Sequence, residues 1–166
     1  MNFVEEMKKK AAALQKKLVL PEGNEERTIQ AAAQIMKESL AKEVILLGKP
    51  EEIKATADAK GIDISSLTLI NPETSEWNAD FAKEYYELRK KKGMTEEQAV
   101  IDIKHFLRFG AMMVRMGKAD AMIAGALSST ADVLRAGLTI IGTAPGTKTA
   151  SSCFVMDTHD SKWGSD

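Results

Sequence analysis

Cysteine is almost absent from this 166-residue chain, since Cys153 is the only one. A single thiol excludes an intramolecular disulfide framework, and together with only two histidines it disfavours a zinc site, so we expect no bound metal. No apolar run comes near the ~20 residues that span a bilayer. The N-terminus also lacks the basic start and apolar core of a secretion signal. These absences predict a protein of the reducing cytoplasm, with no membrane partner.

An excess of charge of one sign is missing as well. Lysine and arginine total 23 against 24 aspartates and glutamates, which leaves a formal net charge of −1. Such a balance disfavours both a nucleic-acid-binding domain and a basic membrane-surface module. Aromatic residues are only 5% of the chain, but 44% is apolar and 28% is charged, which is the composition of a soluble globular protein.

Short apolar runs alternate with helical patterns along most of the chain. Asn24 is predicted to cap the first helix, while Pro50 begins the next helix and Gly61 ends it. Strands separated by helices indicate a mainly parallel sheet with helices on both faces, so the predicted fold class is a three-layer α/β/α domain. The predicted strands are 17–22, 43–48, 66–71 and 121–125.

Longer helices are predicted in the second half of the chain. One runs from about 76 to 92, and another runs from 129 to about 141. Between them a long helix begins at Thr95, where Gln98 completes a capping box, and carries its apolar face as far as Gly110.

The C-terminal segment is predicted to begin another structural unit. Residues 143–147 have the composition of a linker, and 149–157 have the pattern of a strand with only nine residues after it. Such a strand would leave its N–H and C=O groups unpaired. We therefore expect an α/β/α domain at 1–146, and a linker and the start of an incomplete second α/β domain at 147–166.

The strongest candidate for a ligand site follows the fourth predicted strand, because ligands of such sheets bind beyond the carboxyl ends of the strands. Ser128, Ser129 and Thr130 lie where a helix begins, and the N–H groups of a helix start favour an anion. Arg135, about one turn further, could hold the same anion with its planar guanidinium group. The alternative is an ordinary helix cap, in which Ser129 and Asp132 form a capping box and Arg135 only pairs with Asp132.

Other candidates have simpler explanations from spacing alone. Arg89 lies near a helix C-terminus, where a cation complements the helix dipole. His105 is interpreted as a core or surface histidine, and Arg108 as a surface or interdomain residue. Cys153 is interpreted as a small buried hydrophobe. His159 lies in an Asp-Thr-His-Asp turn whose adjacent side chains rarely converge on one metal ion.

Four blocks of the sequence, in the same order, resemble the phosphate acetyltransferases and phosphate butyryltransferases. The blocks are Leu-Pro-Glu-Gly-Asn-Glu-Glu-Arg at 20–27, Tyr-Glu-Leu-Arg-Lys-Lys-Lys-Gly-Met-Thr at 86–95, Gly-Ala at 125–126 with Ser-Ser-Thr-Ala-Asp-Val-Leu-Arg at 128–135, and Trp-Gly-Ser-Asp at 163–166. The family that this sequence resembles exchanges an acyl group between phosphate and coenzyme A, without a metal in the chemical step. Its members have two α/β/α domains with the active site between them.

The resemblance implies roles for particular residues. Arg89 and Arg135 are the implied catalytic residues, which bind the phosphoryl group or the coenzyme, and Ser128, Ser129 and Thr130 are implied to line the acyl phosphate site. Coenzyme A is implied as a substrate, with no bound cofactor. The implied small-molecule partners are acetyl phosphate, coenzyme A and phosphate, and the implied assembly is a homodimer.

One departure from the family pattern limits this expectation. The family's carbonyl-polarising serine, an adjacent arginine and a proposed base aspartate lie near the C-terminus of a longer chain and have no counterpart here. We therefore expect this chain to be an N-terminal portion of an acyltransferase that interconverts acetyl phosphate plus coenzyme A with acetyl-coenzyme A plus phosphate. The expected mechanism is direct attack by the thiol, without a covalent enzyme intermediate. The alternatives are a non-catalytic phosphate- or coenzyme A-binding module, a phosphate butyryltransferase, and an incompletely folded structural fragment.

Overall fold

The computed structural model describes residues 3–156 and Lys162. In this part of the chain, strands and helices alternate as the apolar pattern predicts. The strands are β1 (Lys17–Leu20), β2 (Glu43–Leu47), β3 (Thr68–Ile70) and β4 (Ala121–Met122). The helices are α1 (Phe3–Leu14), α2 (Glu26–Lys37), α3 (Pro50–Lys60), α4 (Asn78–Arg89), α5 (Glu96–Asp102), α6 (Phe106–Arg115) and α7 (Thr130–Ala136). A 3₁₀ turn (Lys90–Lys92) follows α4, and a π-helical turn (Gly137–Ile141) follows α7.

The four strands form one parallel sheet in the order β3-β2-β1-β4. In its register Leu18 lies opposite Val44 of β2 on one side and opposite Ala121 of β4 on the other. The chain leaves β1 through α2 to reach β2, and returns to the other side of β1 only with β4. The predicted parallel α/β sheet is thus confirmed.

Alternating side chains of the strands build a separate core on each face of the sheet. Val19, Ile45 and Leu47 point to the face covered by α4, α5 and α6, where they pack in one buried cluster. Val44 and Leu46, on the opposite face, pack with α2 and α3 in a second cluster. Full burial of one such side chain contributes about 1.5–3 kcal/mol, so both helix layers are needed to stabilise the sheet.

The residue that caps helix α2 lies one position later in the sequence than the predicted cap. The side chain of Glu25 accepts the N–H of Thr28 at 2.7 Å and is the true cap, whereas the Asn24 amide donates to Glu52 at 2.6 Å. The prediction of Asn24 as the cap is therefore wrong. A carboxylate at this position also complements the positive end of the helix dipole.

The predicted long helix from Thr95 is two helices. Its start is confirmed, because Thr95 Oγ1 accepts the N–H of Gln98 at 3.2 Å. The helix ends at Asp102, and the Nδ1 atom of His105 accepts the N–H of Leu107 at 3.3 Å to cap α6. A side-chain acceptor at the break satisfies an N–H group that a helix start would otherwise leave without a partner.

The strand predicted at 149–157 does not form in its described part, 149–156. A strand requires ladder hydrogen bonds to a neighbour, and none joins these residues to the described sheet. Phe154 is 94% exposed, and Cys153 is exposed as well, so its interpretation as a buried residue is wrong. Among the described residues, no helix combines the length and the apolar character that a membrane span requires.

Candidate functional site

A pocket of about 550 Å³ brings together residues from two of the sequence blocks described above, those at 86–95 and 125–135. Arg89 comes from the end of α4, and Arg135 comes from α7. Ser128 and Ser129 line the same pocket from the loop after β4. Thr130, the third hydroxyl residue predicted for the site, is exposed at the start of α7 and does not line the pocket.

Arg89 is half-buried at the end of α4, and its guanidinium group forms no ion pair with any described residue. The 3₁₀ turn ends at Gly93, which has a φ of 87°, so the chain turns away from the helix end there. A half-buried cation without a partner is costly unless it meets an anion. This position is therefore suited to binding an anionic ligand.

Arg135 is already paired in this structure. Its Nη1 atom lies 2.8 Å from Asp132 Oδ1, and Asp132 also accepts the hydroxyl of Ser129 at 2.7 Å. Ser129 in turn accepts the Asp132 N–H at 3.2 Å, so the capping interpretation of this segment is confirmed. The Ser129 hydroxyl, followed by the charge of Arg135, lowers the pKa of Asp132. Asp132 is thus a carboxylate that competes with an anion for the Nη1 group of Arg135.

Sequence reasoning missed a third arginine and its neighbours on the pocket wall. Arg108 of α6 lines the pocket, with Nη1 3.8 Å from Asp102 Oδ1 and 3.4 Å from the Asp102 carbonyl oxygen. Its position in the first turn of α6, next to Phe106 and Leu107, is a signal that could have identified it. Arg108 joins Arg89 and Arg135 to form what we call the arginine pocket.

His105 was also assigned no role from the sequence, yet it lines the arginine pocket. Its ring stacks on Phe106 with centroids 4.5 Å apart. Partial burial, and then the charge of Arg108, lower the pKa of His105 below the ordinary value of 6.5. Because Nδ1 accepts the N–H of Leu107, the neutral ring carries its proton on Nε2. At neutral pH this side chain can therefore donate a hydrogen bond through Nε2.

Glu22, which follows β1, organises the loop that carries the serines. Its side chain is buried, with 5% exposure, and its two oxygens accept four backbone N–H groups. Oε2 accepts those of Gly125 and Ala126 at 2.9 and 2.7 Å, and Oε1 accepts those of Leu127 and Ser128 at 3.0 and 2.7 Å. The residues 125–128 thus direct their N–H groups at Glu22, and these groups are not available to a ligand.

These hydrogen bonds also set the charge of Glu22. Burial by itself raises the pKa of this carboxyl, but the hydrogen bonds from Ser128, Leu127 and Ala126 together bring the pKa below its ordinary value. The side chain is therefore an anion at neutral pH, and its charge strengthens each of the four bonds.

Among the described residues, no group of three or more His, Cys, Asp or Glu side chains is arranged to hold a metal ion. The turn containing His159 lies outside the described residues, and so does the sequence block at 163–166.

The parallel sheet and the arginine pocket beside the loop after β4 define a class of α/β protein, and comparison with known proteins identifies its family. A family profile described as "Phosphate acetyl/butaryl transferase" matches residues 2–164. The chain belongs to this family, as its four sequence blocks predicted.

Individual relatives are consistent with this family. The chain is 51% identical to a phosphate acetyltransferase of Treponema pallidum over 164 residues, which are 99% of this chain and 49% of that protein. It is 43% identical to the phosphate acetyltransferase of Thermoanaerobacterium thermosaccharolyticum, again over 99% of this chain and 49% of the relative. The chain therefore spans about half the length of the curated relatives that it matches.

Solved structures show the same fold. A phosphotransacetylase from Streptococcus pyogenes superposes with a TM-score of 0.83 at 36% identity, covering 90% of this chain and 46% of that one. The EutD phosphotransacetylase from Staphylococcus aureus gives a TM-score of 0.80 at 38% identity, covering 88% of this chain and 44% of that one.

Proposed function

We propose that this chain binds acetyl phosphate and coenzyme A, and that it takes part in the exchange of an acetyl group between phosphate and the coenzyme A thiol. The observation that carries the proposal is the arginine pocket, where Arg89, Arg108 and Arg135 meet Ser128 and Ser129. Guanidinium groups and hydroxyls are the donors that bind phosphoryl oxygens, and guanidinium groups bind them in a bidentate manner. Family membership supplies the reaction class.

The proposed chemistry needs no protein nucleophile. The sulfur of coenzyme A attacks the acetyl carbon, a C–S bond forms, and the bond from that carbon to the phosphate oxygen breaks. The phosphate leaves with the bonding electron pair, and the proton that the thiol loses passes to the departing phosphate. Fixed positive charge at the arginine pocket stabilises the charge that grows on the departing phosphate. Holding both substrates side by side supplies a further part of the rate.

Acetyl is proposed as the acyl group, with butyryl as the alternative. The relatives described above are named phosphate acetyltransferase, and this favours acetyl. Each methylene group changes specificity by only about 1–3 kcal/mol. Rates with acetyl, propionyl and butyryl phosphate therefore measure the preference directly.

The setting of the reaction is part of the same proposal. We place the protein in the cytoplasm, in acetate metabolism, as a homodimer. Support for an assembly comes from apolar side chains on and beside α7, since Leu127, Leu134 and Leu138 are 67%, 48% and 49% exposed. Exposed leucines so close together are typical of a surface that a partner covers. Sedimentation velocity distinguishes the dimer from a monomer.

The test compares arginine variants of the 166-residue chain. Thioester formation from acetyl phosphate and coenzyme A is measured together with calorimetric binding of phosphate and of coenzyme A. Arg89→Ala and Arg135→Ala should each lower turnover by about 10²–10³-fold, as loss of a transition-state donor does. Arg89→Lys should restore only part of it, because it keeps the charge but loses the planar fork. Lys91→Ala, an exposed cation two residues from Arg89, is the matched control and should change nothing.

The outcomes separate the proposal from its alternatives. Turnover and phosphate binding that survive in both alanine variants would refute a role for the arginine pocket. Saturable phosphate or coenzyme A binding through Arg89 and Arg135, without any thioester, would instead mean that the 166-residue chain binds the substrates but does not by itself complete the transfer.

A further inference from the structure

The segment from the end of β1 into the first turn of α2, residues 21–27, takes no part in the function proposed above, although it is the most distinctive motif of the first half of the chain. Glu22 of this segment does not line the arginine pocket. Its buried carboxylate nevertheless accepts the N–H groups of all four residues 125–128, which lie about one hundred positions away in sequence. A buried charge with four good partners is a strongly specified interaction.

Arg27, from the same segment, holds the loop by a different group. Its Nη2 atom donates to the carbonyl oxygen of Ala126 at 3.1 Å, and its Nε atom donates to Glu25 at 2.6 Å, which fixes the guanidinium in place. The segment 21–27 thus contacts the loop 125–128 at the four N–H groups of the loop, through Glu22, and at one carbonyl oxygen of the loop, through Arg27. We call this set of contacts, made by Glu22 and Arg27, the loop clamp.

We propose that Glu22 is a positioning residue, which fixes the backbone of residues 125–128 so that Ser128 and Ser129 face the arginine pocket. This proposal rests on the proposed function for its consequence in ligand binding, but its structural part stands independently. Glu22 itself contacts no substrate, because its two oxygens are directed at the loop.

A carboxylate is the only side chain that suits this position. Four converging N–H groups require an acceptor with two oxygens and no donor, and ionised Glu provides both. A glutamine of the same shape would turn an NH₂ group toward two of the four N–H groups and leave those two without their acceptor. Successive N–H groups that point to one place also form a site for a free anion. Glu22 occupies that site, so the incoming phosphoryl group is left to the arginines.

The direction in which phosphate affinity changes in Glu22→Gln distinguishes a positioning role from a direct effect of the Glu22 charge on the ligand. Glu22 is a negative charge beside a proposed anion site, so removal of its charge alone would strengthen phosphate binding. Positioning predicts the opposite, because a loosened loop would withdraw the Ser128 and Ser129 hydroxyls from the ligand. Glu22→Gln should therefore weaken the binding of phosphate by about fivefold or more.

The experiment uses the full chain with ¹⁵N labelling. Amide hydrogen exchange at residues 125–128 and calorimetric phosphate binding are measured in the wild type, in Glu22→Gln, and in the control Glu26→Gln, which removes the same charge from an exposed pair with Lys60. We expect exchange at these amides to accelerate about tenfold or more in Glu22→Gln only. Arg27→Ala removes an exposed side chain that bonds Ala126 of the loop and Glu25, so it remains testable if Glu22→Gln fails to fold. It should give a smaller effect in the same direction.

Each result decides the question. If Glu22→Gln folds, unchanged exchange at residues 125–128 or tighter phosphate binding by this variant would overturn the positioning role. If Glu22→Gln does not fold, unchanged exchange at these residues in Arg27→Ala would overturn it. If the wild type binds neither phosphate nor acetyl phosphate, the proposed function fails. In that case the exchange at residues 125–128 still supports or overturns the loop clamp.

Discussion

Replacement of Gly23 by alanine tests how tightly the segment that carries the loop clamp packs against the sheet. Gly23 follows Glu22 directly, and its N–H donates to the carbonyl oxygen of Leu47, at the end of β2, at 3.0 Å. A Cβ atom on Gly23 would lie 2.4 Å from that same oxygen and 3.1 Å from the Leu47 carbonyl carbon. Both neighbours are backbone atoms of a buried strand, so neither can move without disturbing the sheet.

The expected cost follows from these two contacts. Displacement of the segment would break the hydrogen bond to Leu47, at about 1 kcal/mol. Overpacking against a well-packed neighbour adds about 1–3 kcal/mol. Gly23→Ala should therefore lower the free energy of unfolding by about 2–4 kcal/mol, a large part of the roughly 5–15 kcal/mol typical of a domain. The corresponding fall in Tm is about 4–16 °C for a chain of this size.

Urea denaturation followed by circular dichroism measures this change, and a second glycine provides the control. Gly137 has helical angles (φ −59°, ψ −53°) and open space around its would-be Cβ, so Gly137→Ala should stabilise the protein by about 0.4–1 kcal/mol. An unfolding free energy of Gly23→Ala within about 0.5 kcal/mol of the wild type would refute the argument.

Three further predictions concern the pocket and the helices around it. The midpoint of the His105 titration, measured by NMR, should lie below pH 6.5. Because the unfolded chain binds this proton at a higher pH than the folded chain, the free energy of unfolding should fall as the pH drops through that region. A midpoint above 6.5 would contradict this prediction. Asp132→Asn should free Arg135 and tighten phosphate binding roughly two- to fivefold at low salt in calorimetry, with a smaller gain at high salt, and weaker binding would contradict the competition. Thr95→Ala should cost about 1 kcal/mol in urea denaturation by removing the acceptor of the Gln98 N–H, while an unchanged midpoint would show that water replaces the cap.

Much of the fold could be predicted because its signals are local. Apolar runs of four to six residues between helical patterns are sufficient for a parallel sheet, and Pro50 and Gly61 lie at the predicted ends of α3. The break between α5 and α6 has no such signal, since neither proline nor glycine marks it. The acceptor that allows the break is the ring of His105, and a histidine cap is not evident from periodicity.

The candidate site was predictable only in part, for a related reason. Arg135 and the serines lie in one short segment, so their proximity follows from spacing. Glu22 and Arg108 act through contacts whose partners are distant in the sequence or on another helix, and no periodic pattern encodes such pairs. Residues 20–27 therefore yield a helix cap at Asn24 and a family block from the sequence, but not the role of Glu22.

The strand order β3-β2-β1-β4 has a consequence for the order of folding. β1, β2 and β3 are joined by short crossovers and all lie within residues 17–70, so their pairing closes shorter loops than the pairing of β4 does. The pairing of Leu18 with Ala121 closes a loop of about one hundred residues, which is a slow, entropically costly step. Glu22 meets its four N–H partners only at that closure. The loop 125–128 therefore depends for its shape on a pairing between two distant parts of the chain.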